Sequence, residues 1–382
     1  MFTSSFRALA KQFQGVRKTI FGRSFATMPF VHPETPSPSK KFYVPTVNIS
    51  PYLANPNSAE ADKIISDIRQ ACLSTGFFQV TGHGIPASLQ KEVFDAAATF
   101  FKLPFDEKKK LDAKTTIGHR GYDVLASQSY EPDVLPDLKE VCPRPLFQST
   151  LLQSDPPSPP QGFYIGTDQS LDSPSVQKRR FFMGPNVWPP TSLLPPANFQ
   201  APAERYYSAV YDLSLKILEL IARTLPYGPN VFDDFTANTP AAPLRLLHYP
   251  KAPPVTEKRQ LGASAHSDFG AITLLLQDEN PGLEVLDSDT DTWVEIAPNP
   301  DAYVVNVGDM LSKWTKDEYV SSVHRVINKN PWDRYSVVFF FDGNLDCRLA
   351  PLDGSEEEKG SEGLTVEGYM IRRMTETYGG KK

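Results

Sequence analysis

At 382 residues the chain is long enough for one large domain or two ordinary ones. A hydrophobic share of 40%, a charged share of 22% and a net charge of −6 are those of a soluble globular protein, with no general attraction for nucleic acid or anionic lipid. No apolar run approaches the roughly 18 residues needed to span a bilayer, and Cys72, Cys142 and Cys347 fit neither a zinc pattern nor a disulfide framework.

The first residues stand apart. Arg7, Lys11, Arg17, Lys18 and Arg23 alternate with Phe2, Phe6, Leu9, Phe13, Ile20 and Phe21, and no acidic residue occurs before Glu34. A basic, acid-free, amphipathic start has the character of a mitochondrial presequence. With Met28 as the true start, the same stretch is an untranslated or unstructured leader. Both readings stand, and the widely spaced thiols favour a reducing compartment. The expected location is cytoplasmic, with mitochondrial import as the alternative.

Val44–Ile49 is a short β-type run ended by Ser50-Pro51. Ser58 then opens a helix with Glu60 and Asp62 in its first turn and Ala61, Ile64, Ile65, Ile68 and Cys72 on one face. Gly76–Thr81 reads as a strand, closed by Gly82-His83-Gly84-Ile85-Pro86, where His83 is expected to bond the local backbone. A second helix carries Leu89, Val93, Phe94, Ala97 and Phe101. From Thr115 to Pro202 the periodicity weakens into a proline-rich connector. Its candidates for substrate contact are Arg120-Gly121-Tyr122, Asp137-Leu138-Lys139-Glu140 and Phe163-Tyr164-Ile165-Gly166. Ala203–Leu225 is the strongest helix, stopped by Pro226-Tyr227-Gly228-Pro229.

Short strand-like runs follow over 244–248, 271–276, 283–286, 293–296, 303–307, 322–327 and 337–341, with Thr365–Tyr378 as a closing helix. Strands at this density, without intervening helices, indicate an all-β sandwich or barrel. The expected organisation is a leader over 1–39, a mixed helical and strand region with the connector over 40–203, a β-core over 204–345, and a tail with the closing helix over 346–382.

The β-region carries the chemistry. His266 and Asp268 are two apart, so an extended strand aims both at one side. A third ligand must come from elsewhere, and His324 is the best remaining histidine. Two imidazoles and one carboxylate on one face leave coordination positions open, as a redox iron needs, whereas a structural zinc site closes its sphere. Arg334 and Ser336 alternate onto one face of a strand whose apolar continuation, Val337–Phe341, implies burial. A buried guanidinium needs an anion, and its rigid fork suits a carboxylate. The same alternation carries on to Val338, Phe340 and Asp342, which makes Phe340 and Asp342 candidates for substrate contact.

The ordered set His266-x-Asp268, His324 and Arg334-x-Ser336 resembles the iron(II)- and 2-oxoglutarate-dependent dioxygenases of the isopenicillin N synthase-like superfamily. Thr75-Gly76-Phe77-Phe78 with Gly82-His83-Gly84-Ile85, Asn306-Val307-Gly308-Asp309 and His324-Arg325-Val326 are similar to that family's other signatures, so the match spans nearly everything after the leader. The resemblance implies a mainly β fold with flanking helices, built on a double-stranded β-helix (jelly-roll) core. It implies iron on His266, Asp268 and His324, and the distal carboxylate of 2-oxoglutarate on Arg334, Ser336 and Tyr249. Dioxygen is the co-substrate, and ascorbate is the reductant that keeps the iron reduced.

Two departures from the family pattern stand out. Leu247-His248-Tyr249-Pro250 replaces the Asn-Tyr-Tyr-Pro usual in plant members, and Trp314-Thr315-Lys316-Asp317 lacks the Asn-Gly often found there. Gly162–Gly166 and Met183–Pro189 are similar to fungal members that oxidise an aryl methyl group on a polyketide, as in the citrinin pathway. The expected reaction is therefore hydroxylation of a methyl C–H on a small aromatic polyketide. A pyrimidine or other N-heterocycle is the rival substrate. Other readings are an oxidase that dispenses with 2-oxoglutarate, a zinc hydrolase, and a catalytically silent jelly-roll that serves as a binding module. The expected partner is a small molecule, with neither nucleic acid nor membrane.

Overall fold

The computed structural model describes residues 42–124, 160–251, 261–328, 330–355, 360 and 363–378. The leader, Cys142 and the candidate segment Asp137-Leu138-Lys139-Glu140 lie outside these residues.

The helices form where their ends are capped and their apolar faces have a sheet to cover. In α1 (Ala59–Ser74), Ser58 Oγ accepts from the Ala61 amide at 3.1 Å, and Glu60 and Asp62 sit in the first turn, where a carboxylate complements the helix dipole. α2 spans Ala87–Phe101. α3 spans Gln200–Thr224, three residues earlier than expected, because Pro202 in its first turn has no amide hydrogen to leave unpaired. α4 (Asp309–Trp314) is a short helix inside the β-region, where only strands were expected. α5 (Val366–Tyr378) closes the described chain.

Twelve strands form two sheets among the described residues. In chain order they are β1 (Thr46–Asn48), β2 (Phe77–Thr81), β3 (Gly121–Val124), β4 (Gln161–Ile165), β5 (Leu244–Tyr249) and β6 (Leu261–His266). β7 (Ile272–Gln277), β8 (Leu283–Asp287), β9 (Thr292–Glu295), β10 (Tyr303–Val307), β11 (His324–Ile327) and β12 (Arg334–Phe341) follow. The large sheet runs β1-β2-β10-β7-β12-β5-β4-β3 and the small one β6-β11-β8-β9. Apart from the parallel β1–β2 pair, every pairing is antiparallel. This is the jelly-roll core with flanking helices.

Sequence patterning placed most strands to within a residue or two, but it missed β3 and β4, which extend the large sheet beyond β5. Gly121 and Gly162 interrupt the apolar alternation there, so the segments read as connector until β4 pairs with β5 and β3 with β4. The strands from 40–203 and from 204–345 thus share one sheet.

Both faces of the large sheet are covered, which explains the unbroken apolar runs. Leu244, Leu246, Leu274, Leu276, Val337, Phe339 and Phe341 join the core under α2 and α3. The alternate residues Leu247, Tyr249, Leu275 and Val338 face the small sheet, with Leu283, Val285 and Val326 opposite. Each large aliphatic or aromatic side chain so buried contributes about 1.5–3 kcal/mol. Between the two inner faces, polar residues collect.

Candidate metal centre and co-substrate cavity

His266 ends β6 and His324 begins β11, and the two are register partners, so the antiparallel pairing itself sets the rings side by side, 4.4 Å between centroids. Asp268 lies beyond the end of β6, not on it as expected. The turn after His266 nevertheless returns its carboxylate to both rings, with Asp268 Oδ1 3.7 Å from Nε2 of each histidine. The ligand atoms of the three residues all lie within 4.8 Å of one another, which makes this the cluster able to hold a metal ion among the described residues.

The surrounding groups orient each side chain. His266 Nδ1 lies 2.7 Å from Ser264 O, and His324 Nδ1 lies 3.2 Å from Ser322 O. A backbone carbonyl can only accept, so both Nδ1 atoms carry the proton and both Nε2 lone pairs face Asp268. Asp268 Oδ2 accepts from Thr273 Oγ1 at 2.6 Å and from Asn306 Nδ2 at 2.8 Å, which leaves Oδ1 to point at the histidines. Thr273 and Asn306 are themselves register partners on β7 and β10. Burial pushes the Asp268 carboxyl up, but His324 and His266, with the bonds from Thr273 and Asn306, outweigh it and hold it below its usual range. Burial first, then His266, lowers His324 to about 4. Two neutral imidazole lone pairs aimed at a carboxylate oxygen repel one another unless a cation sits between them. This donor set fits a divalent iron with open positions.

A cavity between the sheets leads from this cluster to Arg334. Arg334 is 0% exposed, and its hydrogen-bond partners among the described residues include no carboxylate. Its Nη2 donates to Gln277 Oε1 at 2.9 Å and its Nε to Asn280 O at 3.2 Å, while the Tyr249 ring lies 5.1 Å from the guanidinium. Its Nη1 has no partner among the described residues. Ser336, one pleat along β12, lines the same cavity. A buried cation with an orphaned donor beside a hydroxyl fits the distal carboxylate of a dicarboxylic acid.

Farther along β12, Val338 and Phe340 also line the cavity, and Phe340 is the register partner of Thr273 beside the metal cluster. Asp342 does not line it. β12 ends at Phe341, so the alternation that put Asp342 on this face stops short of it. Its side chain is 2% exposed and packs so closely under Gly270 that a Cβ there would lie 2.3 Å from Asp342 Oδ1. Burial first, then Asp268, raises its carboxyl to about 8.

The other candidates among the described residues pack into the fold. His83 Nδ1 accepts from the Ile85 amide at 3.1 Å, as a turn histidine should. Arg120 donates at 2.6 Å to Gly118 O and to Phe182 O. Tyr122 and Phe163 are core residues, and Tyr164 packs against Arg245. Residues that sequence reasoning missed include Thr273, Gln277 and Arg245. Arg245 lines the cavity opposite Val338 and is paired with Asp123 at 3.0 Å across Gly162. The usable signal for Thr273 and Gln277 was a polar residue inside an otherwise apolar strand, since such a group must bond inside the protein.

A two-histidine, one-carboxylate cluster that could hold a metal, sharing a cavity with a buried arginine inside a jelly roll, is what a non-haem iron oxygenase that consumes an oxo acid requires. The comparisons agree. The family model of the 2OG-Fe(II) oxygenase superfamily matches residues 241–343, and that of the non-haem dioxygenase in morphine synthesis N-terminal region matches 44–191. The chain belongs to the 2OG-Fe(II) oxygenase superfamily and is a 2-oxoglutarate-dependent dioxygenase using Fe(II), 2-oxoglutarate and dioxygen.

It is 56% identical to the 2-oxoglutarate-dependent dioxygenase citB of Monascus ruber over 345 residues, covering 90% of this chain and 98% of that protein. Clavatol oxidase claD of Penicillium crustosum is 47% identical over 349 residues, with 88% and 97% covered. A full-length Neurospora crassa protein, crystallised in complex with alpha-KG, superposes with a TM-score of 0.69 at 25% identity, covering 88% of this chain and 97% of that one. No helix among the described residues is long and apolar enough to cross a membrane.

Proposed function

We propose that His266, Asp268 and His324 hold the iron, that Arg334, Ser336 and Tyr249 bind the distal carboxylate of 2-oxoglutarate, and that the enzyme hydroxylates a methyl group of a small aromatic polyketide. The observation that carries the site assignment is the buried, unpaired Arg334 Nη1 in the same cavity as the three-residue cluster. The substrate class is supported by the 56% and 47% identity to citB and clavatol oxidase. A pyrimidine substrate rests on a likeness of fold alone, to the Neurospora crassa protein in complex with alpha-KG and thymine at 24% identity.

When bound, iron with 2-oxoglutarate and dioxygen supplies the oxidising power, releasing succinate and carbon dioxide as a C–H bond is oxidised. The chain's own part is positioning and exclusion of water. Ser264 O and Ser322 O fix the histidine tautomers, and Thr273 and Asn306 hold one carboxylate oxygen so that the other faces the metal. Gln277 and Asn280 O keep the Arg334 fork in place. Leu247, where plant members have an amide, is opposite Ser336 in register and makes this wall apolar. Phe340 then offers a flat ring against an aromatic substrate, beside Arg245 in the same cavity wall.

The test is succinate release and product mass with a panel of aryl-methyl polyketides and with thymine. Succinate release matched to a product one oxygen heavier is expected with an aryl-methyl compound, and only background with thymine. Phe340→Ala should raise the KM for that compound about tenfold, the loss of one aromatic contact. Turnover of thymine at the higher rate, or an unchanged KM in Phe340→Ala, would overturn the substrate reading.

A further inference from the structure

Asp309, the first residue of α4, bonds to three other segments: the turn that carries Asp268, the stretch just before His324, and α5. Its amide donates to Asp268 O at 2.7 Å, flanked by Gly308 N to Ala271 O at 2.9 Å and Met310 N to Gly270 O at 3.2 Å. These bonds staple the turn that carries Asp268. The approach is so close that a Cβ at Gly308 would lie 2.2 Å from Gly270 O. The Asp309 carboxylate divides between two directions. Oδ1 accepts from Ser321 Oγ at 2.8 Å, three residues before His324, and Oδ2 accepts from Arg373 Nη2 at 3.0 Å and Tyr369 OH at 3.3 Å on α5. The Arg373 guanidinium also lies 4.5 Å from the ring of Phe269, the neighbour of Asp268.

We propose that Asp309, braced by Arg373 and Tyr369, is a positioning residue for the iron ligands, so that the closing helix α5 governs how tightly Fe(II) is held. A carboxylate suits the task because it has two acceptor oxygens, one for the His324 segment and one for the helix. The Asp309 and Arg373 side chains are 15% and 28% exposed, so the pair is partly shielded from water and worth more than a surface ion pair. Groups that orient metal ligands through one intermediate contact act on affinity even though they never touch the metal.

The alternative is that Arg373 merely docks α5. The helix has a second tie, remote from Asp309, that separates the two. Arg180 donates to Glu367 on α5 at 3.0 Å and to Asp346 at 2.7 Å. Breaking it loosens the helix and leaves Asp309 alone.

The inference rests on iron being held by His266, Asp268 and His324, and His266→Ala tests that assignment separately by abolishing the binding. The experiment is anaerobic titration of the full chain with Fe(II) at saturating 2-oxoglutarate, followed by the visible charge-transfer absorbance. Arg373→Met and Asp309→Asn should weaken Fe(II) binding about tenfold. Arg373→Lys, which keeps a donor for Asp309, should recover most of it, and Arg180→Met should bind as the wild type does. Wild-type affinity in Arg373→Met, or an equal loss in Arg180→Met, would overturn the proposal. Because Arg373 is partly exposed, its variants keep the test informative even where Asp309→Asn fails to fold.

Discussion

Arg334 shows how much chemistry one residue can declare. A guanidinium with no exposure and no carboxylate partner among the described residues is costly to fold, and it is held in place only by Gln277, Asn280 O and the Tyr249 ring. Arg334→Met should therefore leave the ligand-free protein as stable as wild type, or more so, because it removes a buried charge of similar volume. The same change should raise the KM for 2-oxoglutarate roughly 100-fold, about 3 kcal/mol, with iron binding retained. Thermal melting and succinate release over a 2-oxoglutarate series check the two halves. Arg334 and Ser336 were legible because strand alternation needs only sequence. Gln277 and Thr273 were not, because which polar side chain meets Arg334 or Asp268 depends on a neighbouring strand's register.

At the scale of elements, alternation worked inside strands and failed just past their ends. Asp342 follows the last residue of β12 and does not line the cavity, while Asp268, two residues past the end of β6, is returned to the site. The turn after α4 carries a similar lesson. Lys316 and Asp317 adopt φ of 54° and 60°, the left-handed region, at the place where relatives often carry Asn-Gly. An L-residue with a long side chain is strained there by about 1 kcal/mol or more, and asparagine by less. Lys316→Asn should stabilise the fold by about 0.5–1 kcal/mol, read as a higher urea midpoint with an unchanged m-value. Little is lost in exchange, since the Lys316–Asp353 contact is 3.4 Å and solvent-exposed.

At the scale of the whole molecule, the site joins both sheets. β6 and β11 of the small sheet supply the histidines, while β7, β10 and β12 of the large one supply Thr273, Asn306, Arg334 and Ser336. Ligands that bind only this assembled arrangement must stabilise it. Fe(II) and 2-oxoglutarate, each at about 100 times its Kd, should add about 2.7 kcal/mol apiece, or about 5.4 kcal/mol together, which for a chain of this length is a rise in Tm of about 7 °C. Chelation should reverse the rise, and 2-oxoglutarate without metal should give only a fraction of it. Differential scanning calorimetry of the apo, iron-loaded and doubly loaded protein tests this. An equal rise with 2-oxoglutarate alone would place its binding elsewhere.

The sequence by itself determined the donor types, their order and the class of chemistry. Two histidines, an aspartate and an Arg-x-Ser set in apolar runs have few uses, and the reading needs only local periodicity. Tertiary structure decided the rest. It made His266 and His324 cross-strand partners, returned Asp268 from outside a strand, removed Asp342 from the cavity, and drew β3 and β4 out of an apparent connector into the large sheet. The reason is physical. Side-chain alternation is a property of one strand, whereas register, turn geometry and the partner of a buried polar group are properties of two or more segments at once.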